Sequence, residues 1–237
     1  MIVVLDIETL HPPREEWARM AGIDLITPPP EGQAESEQID QAEARERQKK
    51  QDNKYERAAF DGTFSRIVCI GLLMFSDTMK RQYAMSWYGA NEKEILRQFW
   101  ARLKDIRPLH LITHNGLNFD LPFIKKRSII HQVRPSHEIN LARFRTDSVY
   151  DTMAVWSNWD MRSSVKLDVL ARALHVEPKS GSGGQVADMW EKGQGKAIAE
   201  YCLQDAYVTY ACYQRMTFQP PLPSDEILKD PELIEVS

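Results

Sequence analysis

The chain has 237 residues, of which 43% are hydrophobic and 27% are charged, and its formal net charge is −4. This balance is typical of a soluble globular protein, and the longest apolar stretch, at 67–75, is too short to cross a bilayer. The N-terminus also lacks the basic region and the small-residue cleavage site of a signal peptide. We therefore expect a cytoplasmic protein without a membrane partner. Its three cysteines form no C-x-x-C pair, so we expect them to be reduced and in the core.

The first predicted element is a strand with the sequence I-V-V-L-D-I-E-T-L at 2–10. Its β-branched apolar residues do not alternate with polar ones, which favours a strand buried on both faces of a sheet. Asp6 and Glu8 lie two residues apart, so their carboxylates share one face of the strand. Two adjacent carboxylates in a dry place need protons or cations to neutralise them, whereas a strand end that reaches solvent would need neither.

The next segment, 11–60, predicts a long excursion from the sheet. Two proline clusters interrupt regular structure, and 31–57 is polar and charged with few aliphatic residues. The pattern allows a short helix near 14–21 and a largely solvated helix near 35–57, but it favours a disordered surface loop. A lid or a substrate guide is the functional alternative, because the excursion leaves the strand directly after Glu8.

Regular patterns resume at residue 65 and predict an α/β sheet. Two strands are expected to form a hairpin beside the first strand, and the later alternation of strands and helices implies some parallel pairing. The predicted elements are strands at 65–74 and 80–88 joined by a turn near Asp77, a helix at 92–105 capped by Asn91, a strand at 109–113 and a helix at 119–131. They continue with a strand or helix start near 146–159, a helix at 164–174, a flexible loop at 180–184 and helices at 185–192 and 195–216.

Asp205 is the most informative residue of the last predicted helix. At about 100° per residue, it lies in the middle of a stripe formed by Ile198, Tyr201, Cys202, Val208, Thr209 and Cys212. A carboxylate buried there needs a cation; the structural alternative is a buried arginine or hydrogen-bond donors from a neighbouring element. Tyr201 lies one turn earlier on the same face and can reach the same point.

Asp120 adds an acid from a third segment of the chain. It follows a strand end and lies in the first turn of a helix, where the helix dipole favours an acid in any case. Ends of strands and starts of helices are also where α/β sites assemble. With Asp6, Glu8 and Asp205 it forms a set of hard oxygen ligands, which favours Mg²⁺ or Mn²⁺ over zinc. Two such ions can activate water and stabilise the leaving oxygen of a phosphodiester.

Three short motifs occur along the chain: D-I-E-T at 6–9, N-G-L-N-F-D at 115–120 and Y-C-L-Q-D at 201–205. Together they resemble the motifs of the ribonuclease H-like 3′-5′ exonucleases that have four acidic residues and a tyrosine (DEDDy). F-D-L-P-F at 119–123 is most similar to the proofreading exonuclease domains of family B DNA polymerases and their standalone relatives. The resemblance covers roughly residues 1–215, and 11–60 is longer than the turn expected there.

The resemblance implies an α/β, ribonuclease H-like fold with a mixed five-stranded sheet flanked by helices. It also implies metal-dependent hydrolysis of single-stranded DNA from its 3′ end to mononucleotides. The catalytic residues would be Asp6, Glu8, Asp120 and Asp205, which would hold two divalent cations, Mg²⁺ or Mn²⁺, and Tyr201, which would orient the attacking water. Thr9, Asn115 and Phe119 would contact the terminal nucleotides, Phe119 by stacking on a base. The structural alternative for Phe119 is packing in the core, and the two roles are compatible.

Charge is distributed unevenly, and this bears on nucleic-acid binding. Residues 125–145 contain six basic residues against the single acid Glu138. Lys125, Lys126 and Arg127 begin this segment, and in a nuclease they are candidate contacts to the nucleic-acid backbone; otherwise the segment is a solvated face.

The domain organisation follows from the same patterns. We predict a single exonuclease domain at 1–218 with the polar insertion at about 11–60. The remaining segment, 219–237, is predicted to be an acidic C-terminal tail, because 224–237 contains five acids and one base.

Two other functions remain compatible with the motifs. A 3′-5′ exoribonuclease would use the same chemistry, since four acids do not distinguish the sugars, and RNA is then the substrate. A ribonuclease H-like module that binds nucleic acid without cleaving it would be expected to lose a metal ligand, whereas this chain keeps all four acids and the tyrosine. The motifs are equally compatible with proofreading and with repair, alone or with a polymerase or repair partner.

Overall fold

The computed structural model describes residues 1–25, 38–75, 82–177 and 185–237. The turn predicted near Asp77 and the loop predicted at 180–184 lie outside these residues. The strands are β1 (Ile2–Leu10), β2 (Arg66–Phe75), β3 (Gln82–Gly89), β4 (His110–Thr113), β5 (Val149–Asp151) and β6 (Glu232–Val236). The helices are α1 (Arg14–Ala21), α2 (Gln38–Ala58), α3 (Glu92–Leu103), α4 (Asp120–Ile130), α5 (Thr152–Trp156), α6 (Leu167–Ala173), α7 (Val186–Glu191), α8 (Gly195–Met216) and α9 (Ser224–Ile227). No helix among the described residues is long and apolar enough to span a membrane.

The described chain divides into two compact units, one made of Met1–Thr9 with Ile67–Ser237 and one made of Leu10–Arg66. The first unit contains a six-stranded sheet with the order β5-β4-β1-β2-β3-β6. β1 runs parallel to β4, β4 parallel to β5 and β3 parallel to β6, whereas β2 and β3 form an antiparallel pair. The predicted mixed sheet, with the β2–β3 hairpin beside β1, is therefore confirmed.

The predicted number of five strands is wrong, because the C-terminal segment supplies a sixth. β6 pairs with β3 from Met85↔Glu232 to Gly89↔Val236. Its sequence E-L-I-E-V contains two acids and three aliphatic residues, and Val236 is buried. From the sequence alone such a short strand cannot be distinguished from an acidic tail, because its pairing with the edge of β3 is visible only in the structure.

The alternation of side chains along β1 decides which face carries the acids. Val3, Leu5 and Ile7 belong to the core cluster that includes α3 and α4. Val4 packs instead in the cluster that includes Leu203 of α8. Asp6 and Glu8 lie two and four residues after Val4, so they are on the same face of β1 as Val4, which is the face that α8 covers.

A glycine in β2 allows α8 to lie close to the sheet. A Cβ atom at Gly71 would be 2.9 Å from the Sγ atom of Cys202 in α8. Any larger residue would push the helix away from the sheet, because such a short contact between heavy atoms is not tolerated. Gly71 therefore helps to bring the middle of α8 within reach of β1.

In the second unit, the described residues 11–25 and 38–60 contain the two helices that the sequence pattern allowed near 14–21 and 35–57, and not the disordered loop that it favoured. Its helices α1 and α2 pack through buried Trp17, Ala18 and Ala58, and the Tyr55 hydroxyl donates a hydrogen bond to the Pro12 carbonyl at 2.9 Å. Gln51, Tyr55 and Ala58 fall at i, i+4 and i+7, so they share one face of α2. Three contact residues in an otherwise polar helix are too few to produce a clear amphipathic pattern in the sequence.

Candidate active site

The four predicted acids come together from β1, α4 and α8. Asp6 and Glu8 lie on β1, Asp120 is the first residue of α4, and Asp205 lies in the middle of α8. Glu8, Asp120 and Asp205 are each less than a tenth exposed, at 8%, 4% and 7%. The charges of all three reach Asp6 and raise its pKa. The four acids are therefore close enough for their charges to interact at Asp6.

Burial and mutual repulsion make this cluster costly to ionise. Burial is the main reason why the pKa of Asp6 is raised well above its usual value, and the charges of Asp205, Glu8 and Asp120 add to it. Burial also raises the pKa of Asp120 to about 7, with further contributions from Asp151 and Asp205. Hydrogen bonds from its own backbone amide and from that of Ile7 offset part of this increase. Protons or cations are therefore favoured at this point of the fold.

Cys202 is a neighbour of the acids that the motifs did not single out. Its Sγ atom donates to the backbone oxygen of Asp6 at 3.3 Å and to its Oδ2 atom at 3.4 Å. Sγ and carboxylate oxygens of Asp6 and Glu8 all lie within 4.8 Å of one another. Burial, with Cys69 and Asp6 nearby, raises the pKa of the Cys202 thiol well above its usual value. The thiol is therefore protonated and acts as a hydrogen-bond donor to Asp6.

Asp151, at the end of β5, holds the turn that leads into α4. Its Oδ1 atom accepts from the backbone N–H of Asn115 at 3.0 Å, and its Oδ2 atom accepts from that of Leu117 at 2.9 Å. Oδ1 also caps α5 by accepting from the N–H groups of Met153 and Ala154. This fully buried carboxylate joins two elements and fixes the approach to Asp120. An acid at a strand end before T-M-A-V-W is a helix N-cap signal, but its bonds to the distant turn are visible only in the structure.

The turn between β4 and α4 has a conformation that suits its sequence. Asn115 has a φ of 63°, in the left-handed region that asparagine tolerates better than most residues. Its side-chain oxygen accepts from the Asn118 amide at 3.1 Å. A Cβ atom at Gly116 would lie 2.4 Å from the Cβ atom of Thr113, so the turn needs glycine there. Asn115 is half-buried and therefore has a structural role in addition to any contact with substrate.

The other predicted site residues lie close to the acids in sequence. Tyr201 is buried, at 8% exposed, and lies one turn before Asp205 on the same face of α8. Phe119 is half-buried, packs against the core and contacts Phe123 with ring centroids 5.4 Å apart. Thr9 is half-buried and directly follows Glu8 in β1.

The predicted basic contacts on α4 separate into two groups. Lys125 and Lys126 are exposed. Arg127 is buried, and its guanidinium binds Glu92 of α3 through Nε to Oε1 at 2.8 Å and through a second nitrogen to Oε2 at 2.6 Å. Glu92 also accepts from the Ile67 amide at 2.8 Å. Arg127 thus ties α4 to α3 and β2 and does not lie on the surface, which contradicts its prediction as a backbone contact.

The donor set matches the chemistry of a hard divalent cation. It consists of carboxylate oxygens at a place where burial already penalises negative charge, and the adjacent thiol is protonated. Mg²⁺ and Mn²⁺ prefer such oxygen ligands, while a neutral thiol is a poor ligand for either ion. Asp6, Glu8, Asp120 and Asp205 are therefore the residues that could hold metal ions here.

Comparison with known proteins gives one family and several distant relatives. Residues 59–226 match the model of a family described as a predicted 3′-5′ exonuclease related to the exonuclease domain of PolB. The matched range contains Asp120, Tyr201 and Asp205 and begins after β1. A DNA polymerase of Thermococcus gorgonarius is 29% identical over 136 residues, which are 51% of this chain and 18% of that protein. The catalytic subunit of DNA polymerase epsilon from Kluyveromyces lactis is 27% identical over 173 residues, 65% of this chain and 8% of that protein. The chain therefore covers only a small part of each polymerase that it matches.

Proposed function

The chain belongs to the family of 3′-5′ exonucleases related to the exonuclease domain of PolB, and we propose that it hydrolyses single-stranded DNA from the 3′ end to mononucleotides. The observation that carries this proposal is that three carboxylates, Glu8 of β1, Asp120 of α4 and Asp205 of α8, lie close enough to Asp6 for their charges to raise its pKa. A merely structural acid would need one partner, whereas four acids in a buried place favour a site that takes up cations.

In the proposed reaction Asp6, Glu8, Asp120 and Asp205 would hold two divalent cations, Mg²⁺ or Mn²⁺. When bound, such cations lower the pKa of water and stabilise the leaving oxygen of the phosphodiester. Tyr201 orients the attacking water with its hydroxyl. The Cys202 thiol helps to hold Asp6 in place, because its single S–H lies within reach of both the backbone oxygen and Oδ2 of Asp6.

The strand would approach along the turn that precedes α4. Thr9, Asn115 and Phe119 are proposed to contact the terminal nucleotides, and the half-buried ring of Phe119 leaves part of its face for stacking. Lys125 and Lys126, exposed on the next turn of α4, supply positive charge for the phosphates. Arg127 is left out of this proposal, because Glu92 already neutralises it.

The direct test is digestion of DNA labelled at its 5′ end in the presence of Mg²⁺ or Mn²⁺. We expect a ladder that shortens stepwise, no reaction in chelator, and protection by a blocked 3′ end. Asp120→Asn and Asp205→Asn are expected to abolish the ladder. Cleavage of circular single-stranded DNA would contradict an exonuclease, because a circle has no end.

The same assay separates the two alternatives. RNA of identical sequence, digested in parallel, would be degraded faster than DNA if the protein is an exoribonuclease. A module that only binds nucleic acid would retain both labelled strands without shortening either, at any concentration of metal.

A further inference from the structure

Two aromatic rings, exposed Phe144 and half-buried Trp159, are in contact in the segments before and after β5. The ring centroids of Phe144 and Trp159 lie 5.4 Å apart, with the ring planes tilted by 49°. Phe144 is 73% exposed, although a side chain of this size is usually buried. Single exposed aromatic residues are common, but a pair of rings in contact on the surface offers a continuous apolar platform.

The backbone presents both rings in a conformation that bulky residues seldom adopt. φ is 63° at Phe144 and 65° at Trp159, and Asn158 is also left-handed with a φ of 50°. Glycine or asparagine would fit this backbone with less strain, so chain geometry alone does not call for aromatic rings here. Strained positions of this kind are concentrated at binding sites.

The pair lies beside the turn that carries the candidate active site. Trp159 lines a small cleft together with Arg143, Leu117 and Asn118. Leu117 is bound through its backbone to Asp151, and Asn118 is two residues before Asp120. The platform therefore lies beside the turn that leads to Asp120, but it is formed by different segments of the chain.

The charges at the cleft suit a nucleic-acid strand. Arg143 is exposed at the cleft and next to Phe144 in sequence. Farther out, Arg145 binds Asp147 at 2.9 Å and Arg162 binds Asp160 at 3.1 Å, so these two aspartates are neutralised by neighbours. An aromatic platform with a basic side chain at its edge is the usual combination in proteins that bind single strands.

We propose that Phe144 and Trp159 form a stacking subsite for a base of single-stranded DNA upstream of the 3′-terminal nucleotides, with Arg143 contacting the adjacent phosphate. This proposal rests on the proposed function and extends it. Asn115 and Phe119 are assigned to the terminal nucleotides, so the platform takes a base farther from the reacting end. The subsite holds the strand and takes no part in the chemical step.

The first test measures kcat and KM for 5′-labelled oligothymidylate of 4 to 16 nucleotides with Mg²⁺. We expect Phe144→Ala to raise KM about tenfold on the long substrates, to leave kcat within about twofold, and to have its smallest effect on the shortest strand. Phe144→Tyr keeps a ring and should restore KM. Phe218→Ala is the matched control, because Phe218 is 96% exposed, has a left-handed φ of 60° and follows the far end of α8.

The second test measures base stacking by fluorescence, under conditions in which the strand is not cleaved. A strand with the fluorescent base 2-aminopurine at successive upstream positions is titrated with protein in chelator, where stacking on a ring quenches the emission. We expect quenching at one or two upstream positions, lost in Phe144→Ala and in Trp159→Ala and retained in Phe218→Ala.

The outcomes separate this proposal from the proposed function. A KM for Phe144→Ala equal to that of Phe218→Ala, or a fall in kcat alone, would overturn the stacking subsite while digestion by the wild type still supports the exonuclease. If the wild type digests no DNA, the proposed function fails. In that case the chelator titration still decides the subsite, because unchanged quenching in Phe144→Ala contradicts it.

Discussion

Tyr201 and Asp205 occupy the same face of α8, one turn apart, but the proposal gives them different roles. We expect Tyr201→Phe to lower kcat by about ten- to a hundredfold, because removal of the hydroxyl leaves the water poorly oriented. KM and the concentration of Mn²⁺ for half-maximal activity should change little. Asp205→Ala should lose essentially all activity together with the response to metal.

Steady-state kinetics across a Mn²⁺ titration measure both quantities for each variant. If the two variants lost activity equally and both lost the response to Mn²⁺, the division between an orienting residue and a ligand would be wrong.

Asp151 is the residue whose importance is least visible in the sequence. Its carboxylate accepts four backbone N–H groups, from Asn115, Leu117, Met153 and Ala154. We expect Asp151→Ala to lower the free energy of unfolding by about 3 kcal/mol or more, since buried donors lose their acceptor and α5 loses its cap. Activity should fall as well, because the turn that positions Asp120 is released.

Chemical denaturation followed by circular dichroism measures the stability of this variant. Asp160→Ala is a suitable control, because the Asp160 carboxylate accepts only from exposed Arg162 and the local backbone in the hydrogen bonds described. An Asp151→Ala protein as stable as this control would show that the four hydrogen bonds of the Asp151 carboxylate contribute nothing to stability.

At the scale of elements, β6 turns the acidic C-terminus into part of the sheet. Leu233 and Ile234 pack against the two core clusters, and Val236 is 4% exposed. We expect deletion of residues 231–237 to lower the free energy of unfolding by roughly 3 kcal/mol, because apolar surface of β6 and of the sheet is exposed to water. The truncated protein should also self-associate, since β3 becomes an unprotected edge.

Thermal melting and sedimentation velocity test the truncation. Glu232→Gln is the matched control, because it changes the charge of the segment but keeps the strand. A truncated protein that melts with the wild type and stays monomeric would mean that 231–237 behaves as the tail predicted from composition.

At the scale of the whole molecule, we expect the free energy of unfolding without metal to decrease as the pH rises from acidic to neutral. The pKa of Asp120 rises from 3.8 to about 7 on folding, mainly through burial, and the pKa of Asp6 is raised as well. Between these two pH values the folded state therefore binds more protons than the unfolded state. The stability that Asp120 contributes is fully present below pH 3.8 and is lost as the pH rises to about 7. For Asp120 this change corresponds to about 4 kcal/mol.

Urea denaturation in chelator at pH 5 and pH 8 measures this loss. Asp120→Asn cannot ionise and should show a smaller decrease than the wild type. Equal stability of the wild type at both pH values would mean that these carboxylates keep ordinary pKa values in the folded protein.

The response to metal follows from the same repulsion. We expect Asp205→Asn to melt higher than the wild type in chelator, because it removes one negative charge from the cluster and keeps the shape of the side chain. The wild type should gain about 2.7 kcal/mol at a hundredfold excess of Mn²⁺ over Kd, and the variant much less. The two melting curves are therefore expected to converge or cross as Mn²⁺ is added.

A Mn²⁺ titration of the melting temperature of both proteins is the measurement. If the variant is less stable in chelator and responds fully to Mn²⁺, Asp205 is a structural acid with a protein partner.

Prediction from the sequence succeeded where a periodic pattern extended over a long element. The buried stripe of α8 around Asp205 follows from helical periodicity over 22 residues, and all its predicted members are buried. It failed for Arg127, because a basic segment does not reveal which of its members meets a buried acid from another helix. It also missed β6, whose five residues pair only with a strand that lies far away in sequence.

The sequence by itself determined the alternation of strands and helices, the face of β1 that carries Asp6 and Glu8, and the order of the three motifs. These depend on periodicity and on neighbours within a few residues, which a single chain displays directly. Only the tertiary structure decided that Asp6 is the centre of the carboxylate cluster, that Cys202 and Asp151 hold it in place, and that Phe144 meets Trp159. Each of these contacts joins residues from different elements, and their geometry is set by the packing of α8 and of the strand ends rather than by local propensity.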